Sequence, residues 1–173
     1  MPALENQISD LNFLSPLGFR FALKRAPTLN FFVTKAVVPY IAIGTAIMPS
    51  TFKQIPFYGD KIDYGTLDIT FKVDENMTNY SEIYNWITRL VRPEDFTGFS
   101  TLKNAELATG NGLFSDATLT ILNSSMFPVK EFVFIDMYPV MLSELQFSST
   151  ENDVNYIDAT VTFRCLLFTL HTV

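Results

Sequence analysis

The sequence predicts an α+β fold that is mainly β, with antiparallel strands, one α-helix lying across a sheet and an extended β arm. Three observations carry this reading. Apolar and polar residues alternate with period two at 19–24, 67–74, 117–121 and 157–167. Only one segment, 79–92, combines helical spacing with start and stop signals. The stretch 39–63 is apolar but broken by Gly44, Pro49, Pro56 and Gly59, which suits neither a helix nor a buried strand.

The first strand follows Pro16 and Gly18, where Phe19, Phe21 and Leu23 alternate with Arg20, Ala22 and Lys24. Residues 29–38, LNFFVTKAVV, are rich in β-branched and aromatic side chains and lie close enough behind it to form the second arm of a hairpin. Pro39 ends that run and opens the arm 39–63. Isolated two-stranded ribbons are marginally stable in water, so Ile41, Ile43, Ile47, Met48, Phe52, Ile55, Phe57 and Tyr58 are expected to pack on something beyond the arm. In the next strand Leu67, Ile69, Phe71 and Val73 alternate with Asp68, Thr70, Lys72 and Asp74. The helix 79–92 has Asn79 as its cap and Glu82 three positions on, a capping-box arrangement. Ile83, Ile87, Leu90 and Val91 form its apolar stripe, and Pro93 stops it.

Residues 93–112 hold Gly98, Gly110 and Gly112 without a persistent period and read as a long loop. Strands resume at 116–122 and, after the turn signals of 123–128, at 129–137. The segments 141–149 and 156–168, joined by TENDVN, read as a long antiparallel hairpin with one polar face. No repeat, low-complexity tract or linker divides the chain, so 1–173 is expected to be one domain with an N-terminal segment 1–15.

Composition bounds the function. Charged residues make up 17% of the 173 residues and aromatics 14%, including 17 Phe. An ordinary soluble domain carries roughly 25% charge. A monomer of this composition is expected to show apolar patches, which mark contact with other chains or with a membrane. Twelve Lys and Arg against eighteen Asp and Glu give a net charge of −6, the wrong sign for holding nucleic acid by counterion release. Residues 36–52 are uncharged but contain Pro39, Gly44, Pro49 and Ser50, so no membrane-spanning helix is expected. The start MPALENQISDLNF is acidic and has no signal-peptide run, making cytoplasmic synthesis the default expectation.

Catalytic chemistry finds little support. The single Cys165 and single His171 stand six residues apart on one expected strand, roughly 20 Å at the rise of a strand, too far for a nucleophile and its base. The chain therefore also lacks an internal disulfide. Cys and His together supply two zinc ligands, not four. Neither Asp60 and Asp63 nor Asp74, Glu75 and Asn76 have the spacing of a calcium loop. TGNGLF at 109–114 lacks the phosphate-loop pattern. No pair of carboxylates is singled out for acid–base work, and no cofactor or metal is expected.

Two blocks resemble the tail tube proteins of contractile-tailed bacteriophages. One is the run 137–168, MYPVMLSELQFSSTENDVNYIDATVTFRCLLF, with its aromatic-Pro, S-E-L, acidic turn and alternating last strand. The other is 55–87, IPFYGDKIDYGTLDITFKVDENMTNYSEIYNWI. The same fold is known in baseplate tube initiators and type VI secretion tubes. The resemblance implies an antiparallel β-sandwich or barrel-like protomer with one flanking α-helix, in a non-enzymatic virion protein made in the host bacterium, whose hexameric rings stack into a DNA-conducting tube inside a sheath. It further implies sheath, baseplate and tail terminator proteins as partners, and no specific hold on the DNA. On that reading the eight arm residues from Ile41 to Tyr58 form the contact between subunits or rings. Glu82, Asn85 and Arg89 on the exposed side of the helix face the sheath, and Thr118, Thr120, Asp158, Thr160 and Thr162 are candidates for the channel wall. Two other readings stay open, a baseplate or terminator-proximal ring of the same fold, and a monomeric β-barrel that binds a small ligand among its aromatics.

Overall fold

A computed structural model describes residues 12–91, 97–109, 112–150 and 155–173. Its main sheet runs in the order β1 (Phe19–Leu23), β6 (Ser115–Leu122), β7 (Pro128–Leu142), β8 (Asp158–Arg164), β5 (Leu67–Lys72), β2 (Val33–Val37), with β9 (Leu167–Thr172) also paired to β7. In β1 (Phe19–Leu23) Phe21 and Leu23 turn into the core and Arg20 and Ala22 turn out, as the alternation predicts. The expected hairpin with 29–38 does not form. Leu29–Phe31 is a 3₁₀ turn whose Asn30 side chain accepts from Leu23 N at 2.7 Å and donates to Leu23 O at 3.2 Å, which ends β1 locally. Strand β2 (Val33–Val37) instead pairs with β5 (Leu67–Lys72), while β1 pairs with β6 (Ser115–Leu122). Proximity in sequence suggested a partner, but the side-chain lock on Leu23 sends the chain to the opposite edge of the sheet.

Strands β3 (Ile41–Met48) and β4 (Ile55–Tyr64) form a separate two-stranded antiparallel ribbon, the arm. Its pairing shifts register between Ile43 and Thr45. There a Cβ on Gly59 would sit 2.6 Å from Gly44 O, so only glycine allows the strands to close.

Helix α1 (Thr78–Val91) crosses the sheet with Ile83 and Trp86 buried. Its capping box does not form. Asn79 lies inside the helix, fully buried, and its side chain accepts from Tyr80 N (2.8 Å) and Asp74 N (3.3 Å) and donates to Lys72 O (2.8 Å), tying the end of β5 to the helix. Asp74 Oδ1 accepts from Asn79 N at 3.1 Å, and Glu82 accepts from Thr28 Oγ1 instead of reaching back. Arg92 and Pro93, at the expected stop, lie outside the described residues.

The expected loop 93–112 contains a second helix, α2 (Thr97–Thr109). Gly98 suggested a loop but serves close packing, since a Cβ there would meet Arg89 Cγ of α1 at 3.1 Å. Leu102 is buried, and the Ser100 and Thr101 hydroxyls donate to Thr97 O rather than giving the segment an amphipathic pattern. Among the described residues there are therefore two α-helices where the sequence predicts one. Residues 93–96, 110 and 111 of the expected loop lie outside the described residues, as do 1–11 of the N-terminal segment.

Strand β7 (Pro128–Leu142) is fifteen residues long and serves both halves of the sheet. Its first part pairs with β9 (Leu167–Thr172) and its last part with β8 (Asp158–Arg164). The single last strand expected over 156–168 is thus two strands, broken at Cys165 and Leu166. Burial shifts from odd positions (Ala159, Val161, Phe163) to an even one (Phe168) across that break. Facing it, Asp136 of β7 has φ of 52°, and burial there shifts from Phe134 to Met137. The two irregularities oppose each other, because Ile135 pairs with Leu167 and Tyr138 with Arg164. The final hairpin is also shorter than expected: pairing ends at Ser143, which exchanges backbone bonds with Thr160 O and, through its hydroxyl, Thr160 N. Residues 151–154 of its turn lie outside the described residues. Both halves feed one core, with Leu67, Ile69, Phe71, Val161 and Phe163 on one side, Phe21, Leu23, Leu119 and Phe134 on the other, and Ile83 and Trp86 from α1.

Candidate assembly interface

The arm is exposed along all of β3 and most of β4, with Gly59 and Tyr64 half-buried. Ile41, Ile43, Ile47, Met48, Phe52, Ile55, Phe57 and Tyr58 range from 39% exposed at Ile55 to 97% at Phe52. Cross-strand neighbours such as Met48 and Ile55, Ala46 and Phe57, and Ile43 and Ile62 make apolar pairs with no cover from the body. Fully burying one such side chain contributes about 1.5–3 kcal/mol, so the uncovered ribbon carries a large capacity for association. Its base is fixed. Gly65 N donates to Tyr40 O at 2.9 Å, and the Tyr40 ring lies over Gly65 so closely that a Cβ would be 2.6 Å away. The Tyr40 hydroxyl donates to Asp63 at 3.2 Å.

The polar positions proposed for a channel wall fall into two groups. Asp158, Thr160 and Thr162 of β8 face Lys72, Thr70 and Asp68 of β5 in register, with contacts of 2.8, 3.1 and 2.7 Å. This is a cross-strand ladder in which each polar group has a partner. Thr118 and Thr120 are half-buried on β6 in the other half of the sheet, opposite Ala22 and Arg20 of β1. The structure does not bring the two groups together.

Glu82, Asn85 and Arg89 lie at helical spacing and line a cleft of about 520 Å³ between α1 and α2, together with Lys24, Arg25 and Thr101. Glu82 is half-buried through its bond to Thr28, while Asn85 and Arg89 are exposed. Arg25 lies 4.8 Å above the Trp86 ring and donates to Gly112 O. Trp86 Nε1 donates to Leu113 O at 3.1 Å, which leaves this large ring both packed and satisfied. The sequence pattern missed Trp86 as a core residue because its stripe was drawn through Val91, which is exposed.

Cys165 and His171 do not share a strand, since the break after Arg164 separates them. His171 is exposed against Thr169 Oγ1 at 2.8 Å, and burial pushes the half-buried Cys165 thiol above its ordinary pKa. Among the described residues no cluster of three or more His, Cys, Asp or Glu could hold a metal, and no helix is long and apolar enough to cross a membrane.

Comparison with solved structures defines the class of fold. The chain superposes over its full length, and over the full length of the other chain, on a chain of the anti-feeding prophage cap, the AFP tube terminating cap, with a TM-score of 0.67 at 14% identity. It also matches a chain of the sheath-tube complex of the extracellular contractile injection system PVC, with a TM-score of 0.62 at 13% identity over 92% of both chains. The PVC sheath/tube terminator gives 0.62 at 12% identity, covering 94% of this chain and 99% of that one. No family model and no curated protein matches the sequence. The chain has the mainly β tail-tube fold found in contractile injection systems.

Proposed function

We propose that this protein is a structural ring subunit of the tube of a contractile particle, and that it assembles as hexameric rings that stack. The observation that carries the reading is the arm, an uncovered apolar ribbon on a body whose fold matches chains of tube-containing assemblies. Sheet edges at β1 and β2 that no other described strand pairs with add to it, because edges left open invite pairing between chains unless assembly covers them. The finer reading is a phage tail tube that conducts DNA, with sheath, baseplate and terminator proteins as neighbours. It is supported by the two sequence blocks and by the net charge of −6, which gives sliding DNA no basic wall to hold it. Of the two polar faces, the β5–β8 ladder suits the channel better, because its side chains already have partners and offer few free groups to a passing polymer.

The full-length match to the AFP cap favours a second reading, a terminating ring made once per particle. A ligand-binding barrel is disfavoured, because Phe71, Phe134, Phe163 and Trp86 fill the interior instead of lining a cavity. Electron micrographs of the purified chain should show rings or tubes. A strictly monomeric chain across a wide concentration range would overturn the proposal, and copy number per particle separates tube from cap.

A further inference from the structure

The tip of the arm projects from the molecule with Phe52 97% exposed and Lys53 next to it. Elsewhere an apolar groove of about 740 Å³ is lined by Phe32, Met77, Phe147 and Tyr156, all exposed, and rimmed by the carboxylates Asp74 and Glu75. No arm residue lines it. Lys72, the nearby cation, is already paired with Asp158 at 2.8 Å, so the rim presents net negative charge.

We infer that this groove is the socket for the arm tip of a second copy of the chain, with Phe52 entering among the aromatics and Lys53 pairing with Glu75. Three features agree. The tip is apolar and cationic where the groove is apolar and anionic, which is the complementarity that fixes register at an interface. The volume exceeds that of one aromatic ring, so the turn that carries Phe52 can enter with it. Within one protomer the two do not meet, because no arm residue lines the groove, which opens at the Lys72 end of β5 while the arm joins β5 at its Leu67 end. Donor and acceptor are different surfaces of the chain, so the contact is heterologous and can repeat from copy to copy.

The inference rests on the tube reading and is tested separately from it. In the full chain with Cys165→Ser, Phe52→Cys is combined with Phe147→Cys, and in a control with Tyr84→Cys on the outer side of α1. Oxidation should give a ladder of covalent multimers for the first pair and none for the control. Lys53→Glu should abolish stacking, and Lys53→Glu with Glu75→Lys should restore it. Stacks that form without the Phe52–Phe147 cross-link, or that cross-link only through Tyr84, overturn the socket and leave the tube reading intact. A chain that stays monomeric at every concentration overturns both.

Discussion

Asn79 shows how one polar side chain can hold two elements together. It is fully buried, with its amide shared among Lys72 O, Asp74 N and Tyr80 N. Removing it strands three backbone groups, and each unsatisfied buried group costs about 1–3 kcal/mol. Asn79→Ala should therefore destabilise the fold by about 3 kcal/mol or more in urea unfolding followed by Trp86, the single tryptophan. Asn85→Ala, exposed on the same helix, should change stability by less than about 0.5 kcal/mol. Cys165 gives a pH-dependent readout. Burial favours its neutral thiol, so the native chain should react with a thiol reagent more slowly than free cysteine near pH 8.5, where a free thiol is about half ionised. The difference should shrink as pH rises and vanish in denaturant. Because the folded pKa is raised, the thiol's contribution to stability is present below the unfolded pKa and is lost as pH climbs through the folded one.

Among the elements, the arm has a glycine requirement that can be tested directly. Gly59→Ala places a methyl group against Gly44 O, whereas a Cβ on Gly44 meets nothing within 4 Å. Hydrogen exchange should show 41–48 and 55–64 losing protection in Gly59→Ala while β5 and β8 keep theirs, and Gly44→Ala should match the parent. The same scale shows what the sequence made legible. The strands with clean alternation, β1, β5, β6 and β8, were readable because one face meets a packed core. The arm was readable as apolar yet punctuated. Helix α2 was not, since among its described side chains only Leu102 is buried and Gly98 serves contact rather than acting as a breaker. The split between β8 and β9 escaped because period two continues to look regular through Cys165 and Leu167 while burial changes phase. The groove was invisible for another reason: Phe32, Met77, Phe147 and Tyr156 come from separate segments that only the fold brings together.

At the scale of the whole molecule, the low charge content and the exposed arm agree with the proposed assembly, in which the monomer would be incomplete. Ile55→Asp should abolish ring stacking in electron micrographs while shifting the unfolding free energy by less than about 1 kcal/mol, because Ile55 is 39% exposed and outside the core. Loss of folding together with assembly would remove the arm from that role. The paired irregularities at Asp136 and at Cys165–Leu166 carry a different consequence, for the history of the chain. Each shifts the burial phase of its own strand, and because they lie opposite each other the register between the strands is kept, with Ile135 on Leu167 and Tyr138 on Arg164. Insertions and deletions at these two places are therefore linked. A lineage that loses one of the extra residues must lose its counterpart about thirty positions away, so relatives should differ here by matched gaps, never by a single one.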